Sequence, residues 1–318
     1  MSQFKNRVFG CAIVKAVNSN YNADFTHQPR TLPDGVVYAT DKAFKYSVRN
    51  YLNNNYPEEK ILFYKRLNPE MNPLTLAESY QELLGDFEKE TKTEILGKLL
   101  NCIDVRCFGA TFAAKSKTKN VNLSIHGPVQ INHGVNRYPQ NEIYSEQIMS
   151  PFRNPGDDGS AEKGMTTLGQ QSKLREGHYV HHFSINPQNL ATMCGLAGGH
   201  QGLSVDDIQK LKEAMSSGVT YFDSASKAGS DNELLLWVQL KEESKLVLPV
   251  FTEMISVERE NGRVVIDFGG LKEVLADVSD HIELLQVYYN SQNTVVKNLP
   301  ENTKHLEIIN QKENRHDG

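Results

Sequence analysis

Between Glu94 and His133 the spacing of apolar residues changes from helical to strand-like. Ile95, Leu96, Leu99, Leu100, Ile103, Cys107 and Phe108 recur at helical spacing. That pattern predicts an amphipathic helix closed near Gly109. A short basic turn with Lys115, Lys117 and Lys119 follows. Beyond it the period is two. Val121, Leu123, Ile125, Val129 and Ile131 fall on one side, and Asn122, Ser124, His126, Gln130 and Asn132 on the other. Gly127-Pro128 interrupts this run without changing its parity, which predicts a bend or bulge at a sheet edge. The amide-rich face suits contact with a polymer of phosphates, sugars and bases.

The flanking patterns give the other elements. Arg7 to Val17 reads as a buried first strand, and Asn18 to Gly35 as a long polar loop. A helix starts at Thr40 or Asp41 and runs to about Asn53, with Phe44, Val48, Tyr51 and Leu52 as its apolar stripe. Lys42, Lys45 and Arg49 form a row beside that stripe, either a phosphate-tracking row or a solvated helix face. Glu59 to Arg66 looks like a short strand, and Asn68 to Gly97 like an inserted helical lobe. Asn136 to Gly177 is poor in apolar residues and rich in Gly, Pro, Asn and Asp, as in a mobile insertion or surface loop. His178 to Asn186 returns to strand. Ser204 caps a helix with Asp206 and Asp207 in its first turn. Leu234 to Leu240 reads as a core strand, and Val257 to Asp267 as a hairpin around Asn261-Gly262. A helix (LKEVLADV) and a strand (ELLQVYY) follow, and the polar end from Pro300 is expected to be loose.

Composition narrows the class. With 39% hydrophobic and 23% charged residues the chain matches ordinary soluble globular proteins. It has no apolar run of the roughly 20 residues that cross a bilayer, and MSQFKNRVFG has no signal-peptide core. Cys11, Cys102, Cys107 and Cys194 form no C-x-x-C pair and read as reduced thiols of a cytoplasmic protein. The net charge of −5 is unevenly spread. Residues 1–56 carry +4 and residues 231–318 carry −7. A mildly basic front and an acidic back suit one-sided binding of RNA, although ordinary charge scatter gives the same figures.

Catalytic and metal patterns are sparse. His178, His181 and His182 do not converge on one ion in a strand, because His178 and His182 lie about 13 Å apart and His181 faces the other way. A surface-facing or RNA-facing role is expected instead, and no metal. CGLAGGHQG lacks the Lys-Ser/Thr of a phosphate loop, and no H-E-x-x-H or G-x-S-x-G occurs. No catalytic residue and no cofactor is expected.

Two motifs carry a family resemblance. DVRCFGATFA and SIHGPVQINHG, 31 residues from Asp104 to Gly134 with their linker, resemble the backbone subunit of type I CRISPR Cascade complexes, closest to the I-B form (the seventh CRISPR-associated family, in the repeat-associated RNA-binding superfamily). The first strand, Asn-rich loop, Leu-Pro-x-Gly turn and basic helix share that layout, as does Ser-Lys-x-Gly at Lys227, so the resemblance runs in order from Arg7 to Asn290. It implies an α+β fold: a modified RNA-recognition, ferredoxin-like palm spanning 1–318, with a helical finger inserted at 68–97 and a thumb hairpin at 136–177. No aromatic RNP-type signature supports base stacking on the sheet.

The resemblance further implies a non-catalytic subunit that polymerises head to tail along crRNA and presents it to target DNA. Its other partners would be the large, small, 5′-end cap and repeat-processing subunits, with no membrane. RNA contacts are expected from Asn18, Asn20, Arg30, Lys42, Lys45, Arg49, Arg106, Gln130, Asn132, His133, Arg137 and Lys227. On the thumb, Arg153, Lys163, Lys173 and Arg175 would hold phosphates, and Met149, Phe152, Met165 or Leu168 would act as wedges. Related type III backbones cut RNA through an acidic loop residue, so Asp24 defines an alternative, a metal-dependent ribonuclease. A plain interaction protein without nucleic acid is a third possibility.

Overall fold

The computed structural model of the chain describes residues 2–116, 119–153 and 165–309, with the backbone alone for 150, 153 and 165–168. Strand β1 (Val8–Ser19) leads through a long loop to β2 (Tyr38–Ala39) and helix α1 (Asp41–Asn55). Helices α2 (Leu76–Leu84), α3 (Lys92–Leu100) and α4 (Ile103–Phe108) precede β3 (Gly109–Lys115), β4 (Asn120–His126), β5 (Val129–Ile131) and β6 (Gly134–Asn136). A hairpin of β7 (Ile143–Arg153) and β8 (Met165–Ile185) follows. After α5 (Ala191–Leu196), α6 (Val205–Tyr221) delivers the chain to β9 (Ser230–Leu240). The C-terminal part holds β10 (Ser256–Glu260), β11 (Arg263–Asp267), α7 (Gly269–Asp277), β12 (Ile282–Tyr289), β13 (Thr294–Lys297) and β14 (Lys304–Glu307).

This is a mixed α/β architecture around one large sheet of order β14-β12-β9-β1-β8-β6-β2, with β5 and β7 also paired to β8. β1 lies antiparallel between β8 and β9. Its two faces serve two cores. Val8, Ala12, Val14 and Ala16 pack with Phe44 and Val48 of α1 and Leu211 and Met215 of α6. Phe9, Cys11 and Ile13 pack with Phe251, Val257, Ile266 and Leu271 of the C-terminal part. Both faces of the sheet centre are therefore closed to solvent, which leaves edges and loops as the accessible surfaces. A Cβ on Gly10 would sit 2.2 Å from the Leu236 carbonyl oxygen, so the strand crossing there admits only glycine.

A third core joins α2 and α3 to β3 and β4, through Tyr80, Phe87, Ile95, Leu99, Phe112 and Val121. It explains why the helical spacing over 95–108 misleads. Leu99 and Leu100 face this core, whereas Ile103, Cys107 and Phe108 face the main one. The run is two helices, broken at Asn101 and Cys102. Gly109 caps α4 as expected and also opens β3, a strand between that helix and the basic turn that the spacing did not predict. The parity of 121–131 holds, but at Gly127-Pro128 the chain leaves the β3–β4 sheet and joins β8 of the large sheet.

Three further segments differ from their sequence patterns. Residues 59–66 form no strand and make one bridge, Lys60 to Cys102. Much of 136–177 is an antiparallel hairpin, because β7 and β8 satisfy each other's backbone groups and need few apolar side chains to do so, Ile143 and Leu174 at its base reaching the main core. Near the C-terminus, β14 pairs in parallel with β12, so 304–307 is anchored. The capped α1 and α6 and the Asn261-Gly262 hairpin match expectation, with both turn residues at positive φ.

Candidate nucleic-acid interface

The motif at α4 is a junction. Asp104 is fully buried, and its carboxylate accepts the Leu62 and Phe63 amides at 2.9 and 3.0 Å and Arg49 Nε at 3.1 Å. One side chain thus ties α1 to the 59–66 segment. The Arg49 guanidinium lies 5.1 Å from the Phe108 ring centre. Arg106 donates to Asp207 on α6, to Glu59 and to the Leu100 carbonyl. Gly109, at φ 74, passes where a Cβ would meet the Ile125 carbonyl oxygen at 2.2 Å.

This geometry divides the basic row of α1. Lys42 is 83% exposed beside Asp41, whereas Lys45 pairs with Asp41 at 3.1 Å, largely shielded from solvent, and Arg49 with Asp104. Lys45 and Arg49 do not continue a solvent-facing track with Lys42. Their charges, like that of Arg106, are neutralised inside the protein.

The 18–37 loop is a built platform. Asn20 is buried and donates to the carbonyls of His27 and Ser172. Asn22 accepts from the Thr40 amide and hydroxyl, joining the loop to the start of α1. Asp24 Oδ1 accepts from the Thr26 hydroxyl and from the amides of Thr26 and Gln28. The Thr26 hydroxyl, with those amides, holds the Asp24 carboxyl below the usual range. Arg30 donates from Nε to the Ala23 carbonyl. Lys227 donates to the Tyr21 carbonyl at 2.5 Å, and burial lowers its pKa to about 8. Asp24 is thereby a loop-shaping carboxylate, and among the described residues no three His, Cys, Asp or Glu side chains gather as a metal site.

Around this platform stand the accessible polar groups. Asn18, at φ 49, is exposed and accepts from the Tyr144 hydroxyl of β7. Gln130 is exposed, with Nε2 donating to the Gly127 carbonyl. His133 is half exposed, 5.3 Å from the Tyr38 ring and 3.7 Å from Asp41. Asn132 instead turns inward, where its Oδ1 accepts the His182 amide. Arg137 pairs with Glu253. On the hairpin, Lys173 pairs with Glu146 and Arg175 with Glu142, the latter pair well exposed. Met149 is 58% and Phe152 76% exposed. Lys163 lies outside the described residues, as do the side chains of Arg153, Met165 and Leu168 and the turn residue Lys117.

The three histidines are buried, contrary to the surface-facing expectation, because β8 runs inside the large sheet. Burial depresses the His178 pKa, but Glu233 and Glu176 outweigh it and raise it to about 8. Glu176 in turn binds Arg259 of β10. His181 stacks 5.0 Å from Phe44 and His182 accepts the Phe251 amide, and burial lowers both to about 4. Glu176, Glu233, Asp207 and Asp104 had no sequence signal as partners. Two aromatics also stand at this surface: Phe25, within the polar run Asn22-Ala23-Asp24-Phe25-Thr26-His27, which was a signal in the sequence, and Tyr38 of β2 beside His133, which had none.

The family model for CRISPR-associated protein Cas7 matches residues 6–278. The chain belongs to the Cas7 family. A chain of a "CRISPR RNA-guided surveillance complex, pre-nicking" superposes with a TM-score of 0.55 at 14% identity, over 95% of this chain and 96% of that one. A chain of a "CRISPR RNA-guided surveillance complex" gives a TM-score of 0.49 at 13% identity, over 91% of both. The first of these likenesses shows a shared fold across nearly the whole Cas7-family chain. No curated protein matches the sequence. No helix among the described residues is long and apolar enough to cross a membrane.

Proposed function

We propose that this Cas7-family chain is a guide-RNA-binding backbone subunit of a type I, I-B-like CRISPR surveillance complex. The family match over 6–278 carries this reading. Copies assemble head to tail along one crRNA and hold it for pairing with target DNA, beside the large, small, 5′-end cap and repeat-processing subunits, in the cytoplasm. Sequence recognition comes from base pairing, and the protein grips backbone and shape. The chain is non-catalytic here, in keeping with Asp24's use in shaping its loop.

The strand order β9-β1-β8-β6, with α1 and α6 on one face, supports a ferredoxin-like palm. Residues 68–97 serve as finger and the β7–β8 hairpin as thumb. Because both sheet faces are covered, the RNA path follows the rim: Lys42, Gln130 and His133 near α1, Asn18 at the loop, and Arg175 on the hairpin. Arg153, Lys163 and Met165 complete the proposed thumb contacts, and Lys173, Arg137, Arg30 and Lys227 support them. Lys45, Arg49, Arg106, Asn20 and Asn132 hold that surface in place.

The test is binding of single-stranded RNA by wild type and Lys42→Glu/Arg175→Glu, read over a salt series. Weaker binding with a shallower salt dependence is expected, since each phosphate contact adds to the slope. Equal affinity and slope would remove these cations from the interface.

A further inference from the structure

Phe25 is 97% exposed, the most exposed large apolar side chain among the described residues. It does not sit on a floppy segment. Asp24 locks the turn through three hydrogen bonds, the Asp24 amide donates to the Gln28 carbonyl, and Ala23 bridges to Pro29. Asn20 and Arg30 add side-chain bonds to the carbonyls of His27 and Ala23. Six hydrogen bonds and a backbone bridge therefore hold a bare phenyl ring out in water.

We propose that Phe25 is a stacking platform for one unpaired base of a bound RNA strand, an inference that rests on the function proposed above. Two observations favour a base over a protein partner. The ring stands alone, with Asp24, Thr26 and His27 as its sequence neighbours, whereas protein-docking patches gather several apolar groups. Its loop is also bonded through Asn22 to Thr40, at the helix start that carries the exposed Lys42, so a cation stands on the element to which the loop is fastened. Every base has a π-face, so such contact tolerates any guide sequence. The preformed turn spares the ordering cost of a mobile loop. Asn20, Arg30 and Asp24 are positioning residues that aim the ring.

The test uses the full chain, a single-stranded RNA, and the same strand with abasic sites. Phe25→Ala should bind RNA roughly fivefold to a hundredfold more weakly than wild type, and the difference should vanish on the abasic strand. Phe25→Trp should retain binding and show fluorescence quenching on RNA, with little interference from Trp237, the one native tryptophan, which is fully buried. If wild type binds RNA but Phe25→Ala matches it and Phe25→Trp stays unquenched, the platform is refuted while the RNA-binding function stands. If wild type binds no RNA, the function itself fails, and the platform with it. Loss of self-association by Phe25→Ala in RNA-free protein would assign the ring to a neighbouring copy and overturn the proposal.

Discussion

The α4 junction and the β7–β8 hairpin both carry charged residues, and they use them in opposite ways. At the junction, Asp104, Arg49, Arg106, Asp207 and Glu59 are nearly removed from solvent, and each cation meets a carboxylate within 3.3 Å or less. On the hairpin, Arg175 and Glu142 pair with side chains 66% and 60% exposed. Buried pairs are costly to break because the surviving charge stays desolvated. Exposed pairs dissolve into water with little loss. The family motif is therefore a structural fastening, and the solvent-exposed charges lie in segments with plainer sequences.

The sharpest way to break this contrast is Asp104→Ala. It strands Arg49 and leaves two buried amides without an acceptor, so a loss of about 3–5 kcal/mol is expected in denaturant unfolding. A loss under about 1 kcal/mol would contradict the fastening role.

The histidines give a second, smaller effect. His178 is protonated more readily in the fold than in the open chain, where its pKa is 6.5, so its contribution is full below pH 6.5 and lost as pH rises through about 8. That limb is worth about 2 kcal/mol. His181 and His182 are favoured neutral, so stability also falls as pH drops from 6.5 through about 4. A stability maximum near pH 6.5 follows, and His178→Gln should flatten the alkaline limb only. An unchanged alkaline slope would refute the Glu233–His178–Glu176 coupling.

Smallest of all, Arg175→Ala should leave the midpoint of the same unfolding transition unchanged, because water replaces the exposed pair. A lowered midpoint would make the hairpin pair structural and erase the contrast.

Much of the frame was legible from the chain. β1 and β9 read as core from continuous apolar runs, α6 from its Ser204 capping box, and the β10–β11 turn from Asn-Gly. The interface was less legible, because a cation's role depends on partners far along the chain. Arg49 and Asp104 are 55 positions apart, and Arg106 and Asp207 are 101 apart. Periodicity cannot separate a solvated Lys42 from a consumed Arg49 two turns further on. The same holds for the histidines: HYVHHFSI looks half-polar, yet its strand is interior, where Glu233, Asn132 and the Phe251 amide satisfy the rings.

The most direct test of the guide-RNA backbone function is native mass spectrometry of the purified chain with single-stranded RNAs of increasing length. The account predicts assemblies whose copy number rises stepwise with RNA length, each added copy covering a constant number of nucleotides. A chain that stays monomeric and RNA-free at every length would contradict it.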